Sequence, residues 1–117
     1  MTCKEVGIMN IKLDITECDG RVAVSVTGEI DVYTAPKLRE TLFPLSERNG
    51  VNMIINLSGV EYMDSTGLGV FVGTFKNVRS SNGEFQLVGL SDRLKRLFEI
   101  TGLADIMNIS QIEGEPK

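Results

Sequence analysis

Residues 51–57 (VNMIINL) are almost unbroken in apolar character over a length that suits a strand. A continuous apolar strand reads as one buried on both faces, at the centre of a sheet that helices cover on at least one side. The flanking segments fit such a sheet. Ile11-Lys-Leu13-Asp-Ile15 and Val22-Ala-Val24-Ser-Val26-Thr alternate apolar and polar residues, the pattern of half-buried strands, and Asp19-Gly20 between them is a hairpin turn. Phe85-Gln-Leu87-Val is a further strand, and residues 103–109 form a short closing segment suited to an edge strand. Three helices separate these runs. Thr34 caps the first, with Pro36 in its first turn and Ala35, Leu38, Leu42 and Leu45 as its apolar stripe. Pro44 strains its last turn, and Asn49-Gly50 stops it. Leu68, Phe71, Val72, Phe75 and Val78 form the core face of a second helix that runs to about Ser80. Ser91 caps the third, whose stripe is Leu94, Leu97, Phe98 and Thr101 and which Gly102 ends. The order β-β-α-β-α-β-α-(β) predicts a single α/β domain with a mixed four- to five-stranded sheet and about three main helices.

Composition then excludes most chemistries. The 117 residues include no His, so no Ser-His-Asp triad, Cys-His pair or His-ligated zinc can form within this chain. Cys3 and Cys18 have no CxxC spacing, which fits reduced, intracellular thiols, with Cys18 an ordinary strand residue. The longest apolar run, residues 67–73, is far below the ~20 residues of a spanning helix. Lys4 and Glu5 stand where a signal peptide needs apolar residues, so a soluble, cytoplasmic protein is expected, with no membrane partner. Twelve basic against sixteen acidic residues give a net charge of −4, which argues against nucleic acid as a partner. Arg93-Leu-Lys95-Arg96 is locally basic and reads as a solvated helix face.

The informative segment is Tyr62-Met-Asp64-Ser65-Thr66-Gly67-Leu68-Gly69, where the buried strand runs through a short loop into a helix with Ser65 at its start. Glycine inside a helix costs ~1 kcal/mol relative to Ala, so Gly69 and Gly73 require an offsetting reason. Close approach of helix to sheet is one such reason; a bare helix surface beside Ser65, open to another protein, is the other. Gly67-x-Gly69-x-x-x-Gly73 is neither GxGxxG nor a GK[ST] loop, so nucleotide binding has no support there. Ser65 as a nucleophile lacks a base: Asp64 cannot replace a His, and Lys76 lies some three turns along the helix. Two readings remain open. Ser65 is either a plain N-cap or a phosphorylation site, where the phosphate would meet free N–H groups and the positive end of the helix dipole. Phosphorylation would add about −1.5 to −2 charge beside Asp64 and Glu61.

At these residues the chain resembles a known family. Met63-Asp64-Ser65-Thr66-Gly67-Leu68-Gly69, with Gly28-Glu29-Ile30-Asp31 upstream, is similar to the anti-sigma factor antagonists, the small single-STAS-domain proteins of bacterial partner-switching systems. Residues 66–76 (TGLGVFVGTFK) and 94–105 (LKRLFEITGLAD) are similar to the general-stress branch, the RsbV type. The resemblance runs from about residue 9 to residue 109. Met9-Asn-Ile-Lys reads as a native start, so residues 1–8 are expected to be an N-terminal extension, 9–110 the STAS domain and 111–117 a polar C-terminal tail.

The resemblance implies that Ser65 is phosphorylated by a partner that is both anti-sigma factor and serine kinase. The unphosphorylated protein binds that partner and frees a sigma factor; a PP2C-type phosphatase restores the phosphorylated form. Thr66 stands where the sporulation branch has a second Ser, which favours a role in stress response and leaves modification of Thr66 open. Glu29 and Asp31 follow the second strand, and their loop would share a sheet edge with Ser65, unless they serve only as loop acidity and helix N-terminal charge. Glu29, Asp31, Asp64, Thr66, Gly67 and Gly69 are therefore the expected partner-binding residues. No catalytic residue, metal or cofactor is expected, and a monomer when free. The rival reading is a STAS scaffold subunit of a larger signalling complex; a hydrolase or nucleotide-binding module is more distant.

Overall fold

The structure, a computed structural model, describes residues 2–8, 10–103 and 108–110. Along them run β1 (Thr2–Ile8), β2 (Ile11–Cys18), β3 (Arg21–Ile30), α1 (Ala35–Ser46), β4 (Asn52–Met63), α2 (Ser65–Ser80), β5 (Glu84–Val88), α3 (Asp92–Ile100) and β6 (Asn108–Ser110). The strands form one mixed sheet in the order β1-β2-β3-β4-β5-β6. β1, β2 and β3 are an antiparallel meander, and β3 through β6 pair in parallel. Asp19-Gly20 makes the β2–β3 turn with both residues at positive φ, the two-residue geometry that matches strand twist.

The sequence-predicted α/β class and the helix positions are present. The sheet gains a strand over the four to five expected, because residues 2–8 pair along the whole of β2, from Thr2 opposite Glu17 to Ile8 opposite Ile11. TCKEVGI lacks a clean apolar alternation, so periodicity alone does not mark it as a strand. Lys12 on β2 reaches Glu5 on β1 at 2.8 Å, and that hydrogen bond, with the carboxylate's charge, raises the ammonium above its ordinary pKa. Of the closing segment, residues 104–107 lie outside the described residues, and β6 occupies its end. The tail 111–117 is likewise outside them.

Three right-handed crossovers between successive parallel strands, all stepping the same way, put the helices on one face of the sheet. Burial agrees. Leu13, Val24, Met53, Ile55 and Leu87 are fully buried, whereas Lys12, Arg21 and Ala23 are exposed and Ile54, Asn56 and Gln86 half-buried. The expectation that residues 51–57 are buried on both faces is therefore corrected. β4 buries one face, and Asn52, Ile54 and Asn56 lie half-buried on the other, which no helix of the described residues covers. Under the helices, Leu38 and Leu42 of α1, Phe71 and Val78 of α2 and Phe98 of α3 close the core. On α2 the core face includes Val70 and Thr74, with Val72 only partly buried. α1 continues through Pro44 to Ser46, whose buried hydroxyl donates to the Phe43 carbonyl at 2.7 Å.

The junction of β3 and β4 sets where the second helix can begin. β4 carries two register shifts against β3, between Ser25 and Thr27 and between Gly28 and Glu29, so its last residues run ahead of their partners. Gly28 sits there at φ +112, and a Cβ on it would clash with the Asn10 carbonyl oxygen, which accepts the Glu29 N–H. Backbone strain and a clash with an atom fixed by the ladder act together. Gly28→Ala should lower unfolding free energy by on the order of 2–4 kcal/mol in denaturant titration.

Candidate functional site

β3 and β4 end level with one another, Ile30 opposite Met63, so Asp31 and Asp64 leave the sheet side by side. Asp64 is held by its own N–H, which donates to the Ile30 carbonyl at 3.2 Å. Its extended backbone turns the carboxylate over the start of α2, where Oδ1 accepts the N–H groups of Thr66 at 2.9 Å and Gly67 at 3.3 Å. Asp64 is thus the N-cap, a role worth about 1 kcal/mol. Ser65 is the first residue of the helix, exposed, and its hydroxyl makes no hydrogen bond among the described residues. The plain N-cap reading of Ser65 falls, because its neighbour already performs that function. The expectation of free N–H groups for a phosphate is corrected as well: Asp64 occupies two of them, so an anion on Ser65 would meet a carboxylate.

A second turn mirrors the first. The Asp31 carboxylate accepts the N–H groups of Tyr33 at 2.9 Å and Thr34 at 3.1 Å, and its carbonyl accepts that of Ala35 at 2.8 Å. The predicted cap Thr34 has no capping bond from its side chain to α1. Its buried hydroxyl instead donates to the Glu29 carbonyl at 3.0 Å and accepts the Asp31 N–H at 2.9 Å. Thr34 locks the turn from inside, and Asp31 closes it from outside. Glu29 pairs with Tyr62 across the strands, half-buried. The structure therefore brings Glu29, Asp31, Asp64 and Ser65 to one rim, with Glu61 exposed beside them.

The glycines divide by environment. Gly67 is buried, and a Cβ on it would clash with Ile30 Cγ2 and lie 2.9 Å from Met63 Cγ. It sets the approach of α2 to the sheet and is not itself accessible to a partner. Gly73 faces the Phe43 ring, whose Cζ would lie 2.6 Å from a Cβ at that position. Gly69 is exposed, and a Cβ there would meet nothing within 4 Å. Gly73 is explained by close packing, but against Phe43 of α1 and not against the sheet, and Gly69 has no packing neighbour.

Gly69 opens onto a groove between α1 and α2 with a volume of about 400 Å³. Val32, Pro36, Arg39 and Phe43 line one wall, and Thr66 and Val70 the other. Val32 and Tyr33 in the adjoining turn are 57% and 75% exposed, and Tyr62 is 47% exposed, an apolar patch at the rim of Ser65. Sequence reasoning missed Val32, Tyr33, Arg39 and Val70. The available signal was the Val32-Tyr33 pair, two large apolar residues inside an otherwise polar turn. Among the described residues no cluster of three or more Cys, Asp or Glu could hold a metal ion, and no helix is long and apolar enough to cross a membrane.

The sequence pattern of the STAS domain family matches residues 12–115. The anti-sigma-B factor antagonist of Listeria monocytogenes serovar 1/2a is 55% identical over 108 residues, covering 92% of this chain and 95% of that protein. The protein of the same name from Bacillus subtilis is 56% identical over 102 residues, 87% of this chain and 93% of its own length. Among solved structures, an anti-sigma factor antagonist from Mycobacterium paratuberculosis superposes with a TM-score of 0.75 at 30% identity, covering 85% of this chain and 84% of that one.

The glycine environments predict opposite effects of one methyl group. Gly67→Ala forces a clash with fully buried Ile30 and should destabilise by about 1–3 kcal/mol. Gly69→Ala should be neutral or stabilising by up to ~1 kcal/mol. Thermal and urea unfolding of the two variants beside the parent protein reads the difference.

Proposed function

The chain belongs to the STAS domain family, and on that premise we propose that it is an anti-sigma factor antagonist switched by phosphorylation of Ser65. One observation carries the reading: Ser65 is exposed at the first position of α2, and its hydroxyl has no structural duty because Asp64 caps the helix. In the unphosphorylated state the rim docks an anti-sigma factor that is also a serine kinase, and a sigma factor is set free. Val32, Tyr33 and Tyr62 supply exposed apolar surface for that contact, and Glu29, Asp31, Asp64 and Thr66 its polar margin. Gly67 contributes through packing, by letting α2 begin where it does.

The base that takes the Ser65 proton belongs to the kinase, because the neighbouring carboxylate, Asp64, is engaged as the α2 cap. The Ser65 oxygen attacks the γ-phosphorus of ATP, the bond to the β-phosphate oxygen breaks, and ADP leaves. The product carries about −1.5 to −2 charge beside the Asp64 carboxylate, which already holds the Thr66 and Gly67 N–H groups. The phosphate is therefore poorly neutralised within this chain, and a surface shaped for the hydroxyl form is repelled. A PP2C-type phosphatase hydrolyses the ester and resets the switch. The protein is itself not an enzyme, acts in the cytoplasm as a monomer when free, and uses residues 9–110 as its working unit.

Incubation with ATP and the cognate anti-sigma kinase should add one phosphate, which peptide mass mapping places on Ser65. Ser65→Ala should bind that kinase with unchanged or higher affinity and persist in the complex. Ser65→Asp should bind at least about tenfold more weakly, a loss of ~1.4 kcal/mol. A folded Ser65→Ala that fails to bind the kinase would overturn the switch, and a large stable assembly on size exclusion would favour a scaffold subunit.

A further inference from the structure

We propose that the groove between α1 and α2 receives an apolar side chain of the anti-sigma partner, flanked in the partner by a carboxylate that pairs with Arg39. The proposal rests on the antagonist function and adds the chemistry by which the partner is recognised. Its first support is Gly69. At Gly67 and Gly73 an added methyl carbon would meet neighbours within 3 Å, but at Gly69 it would meet nothing within 4 Å. Helix propensity disfavours glycine at such a site by ~1 kcal/mol without any packing reason in return. The missing side chain leaves depth in the groove, bounded by Val32, Phe43 and Val70. A volume of about 400 Å³ lies at the small end of clefts that bury a ligand group.

Charge selects the occupant. Arg39 is the cation on the groove wall; it is exposed and forms no ion pair among the described residues. The ends of β3 and β4 beside Ser65 carry Glu29, Asp31, Glu61 and Asp64, all acidic. A partner carboxylate is attracted at the Arg39 wall and repelled at the acidic rim, so the two halves fix one orientation of docking. Thr66 lines the groove next to Ser65, so a partner anchored there reaches the hydroxyl that it phosphorylates.

Binding is measured by calorimetry against the cognate anti-sigma factor, with every variant made on a Ser65→Ala background so that no phosphate is added. Gly69→Leu fills the groove without meeting a neighbour at its Cβ, and should weaken binding about tenfold or more while thermal unfolding stays at or above the parent value. Gly69→Ala should stay within about twofold of the parent. Arg39→Glu should weaken binding by about fivefold or more and flatten its dependence on salt. If the parent binds and both Gly69→Leu and Arg39→Glu bind as it does, the groove is not used and the proposal falls, with the function intact. A loss with Gly69→Leu alone overturns the carboxylate, and a loss with Arg39→Glu alone overturns the apolar anchor. If the parent itself fails to bind, the function falls first. Self-association of the free parent that Gly69→Leu abolishes would assign the groove to a second copy instead.

Discussion

The contact between Gly67 and Ile30 is the constraint on which the rest of this surface depends. Ile30 is fully buried at the end of β3, and only a residue without a side chain can pass it closely enough for α2 to begin there. Two register shifts in the β3–β4 pairing carry the end of β4 to that place. Once α2 starts over Ile30, Asp64 must bridge strand and helix, and Ser65 must fall on the outside. Packing thereby decides the exposure of a hydroxyl that nothing in its own side-chain chemistry would have placed.

Asp31 and Asp64 then perform the same service on adjacent turns, each carboxylate accepting two backbone N–H groups. Residues that a functional reading takes as partner contacts are thus also what holds the loops still. The two roles reinforce each other, because a docking surface with its backbone groups already satisfied loses little conformational entropy on binding. The same bonds bear on the proposed phosphorylation of Ser65. The helix end ordinarily welcomes an anion, but here the cap is already one, so a second negative group has Asp64 as its neighbour.

Much of the fold is legible in the residues, for identifiable reasons. Alternation in residues 11–15 and 22–26, the Asp19-Gly20 turn and the spacing of Leu38, Leu42 and Leu45 are local signals, and they yield the strands, hairpin and helix that the structure contains. The rim is approachable too, since parallel strands joined by helices present their ends at one edge. β1 is not legible, because an edge strand is recruited by the unpaired ladder of β2 more than by its own pattern. Nor is the one-sided burial of β4: an apolar run does not reveal that Asn52, Ile54 and Asn56 lie on the less buried face. Thr34 does not serve as the expected side-chain cap, because its buried hydroxyl is engaged by the Glu29 carbonyl and the Asp31 N–H inside the turn.

Residue order alone was enough for the α/β class, the kinship carried by the Asp64-Ser65-Thr66-Gly67 motif, and the exclusion of His-dependent triads and zinc sites within the chain. These rest on periodicity, residue identity and composition, which are properties of the chain read along its length. Which glycine packs and which lies open, which of two adjacent residues caps α2, and that Arg39 shares a wall with Val32 and Phe43 were settled by the folded molecule. Each of these depends on distances between segments far apart in the chain. Such distances exist only after the core has brought α1, α2 and the ends of β3 and β4 together.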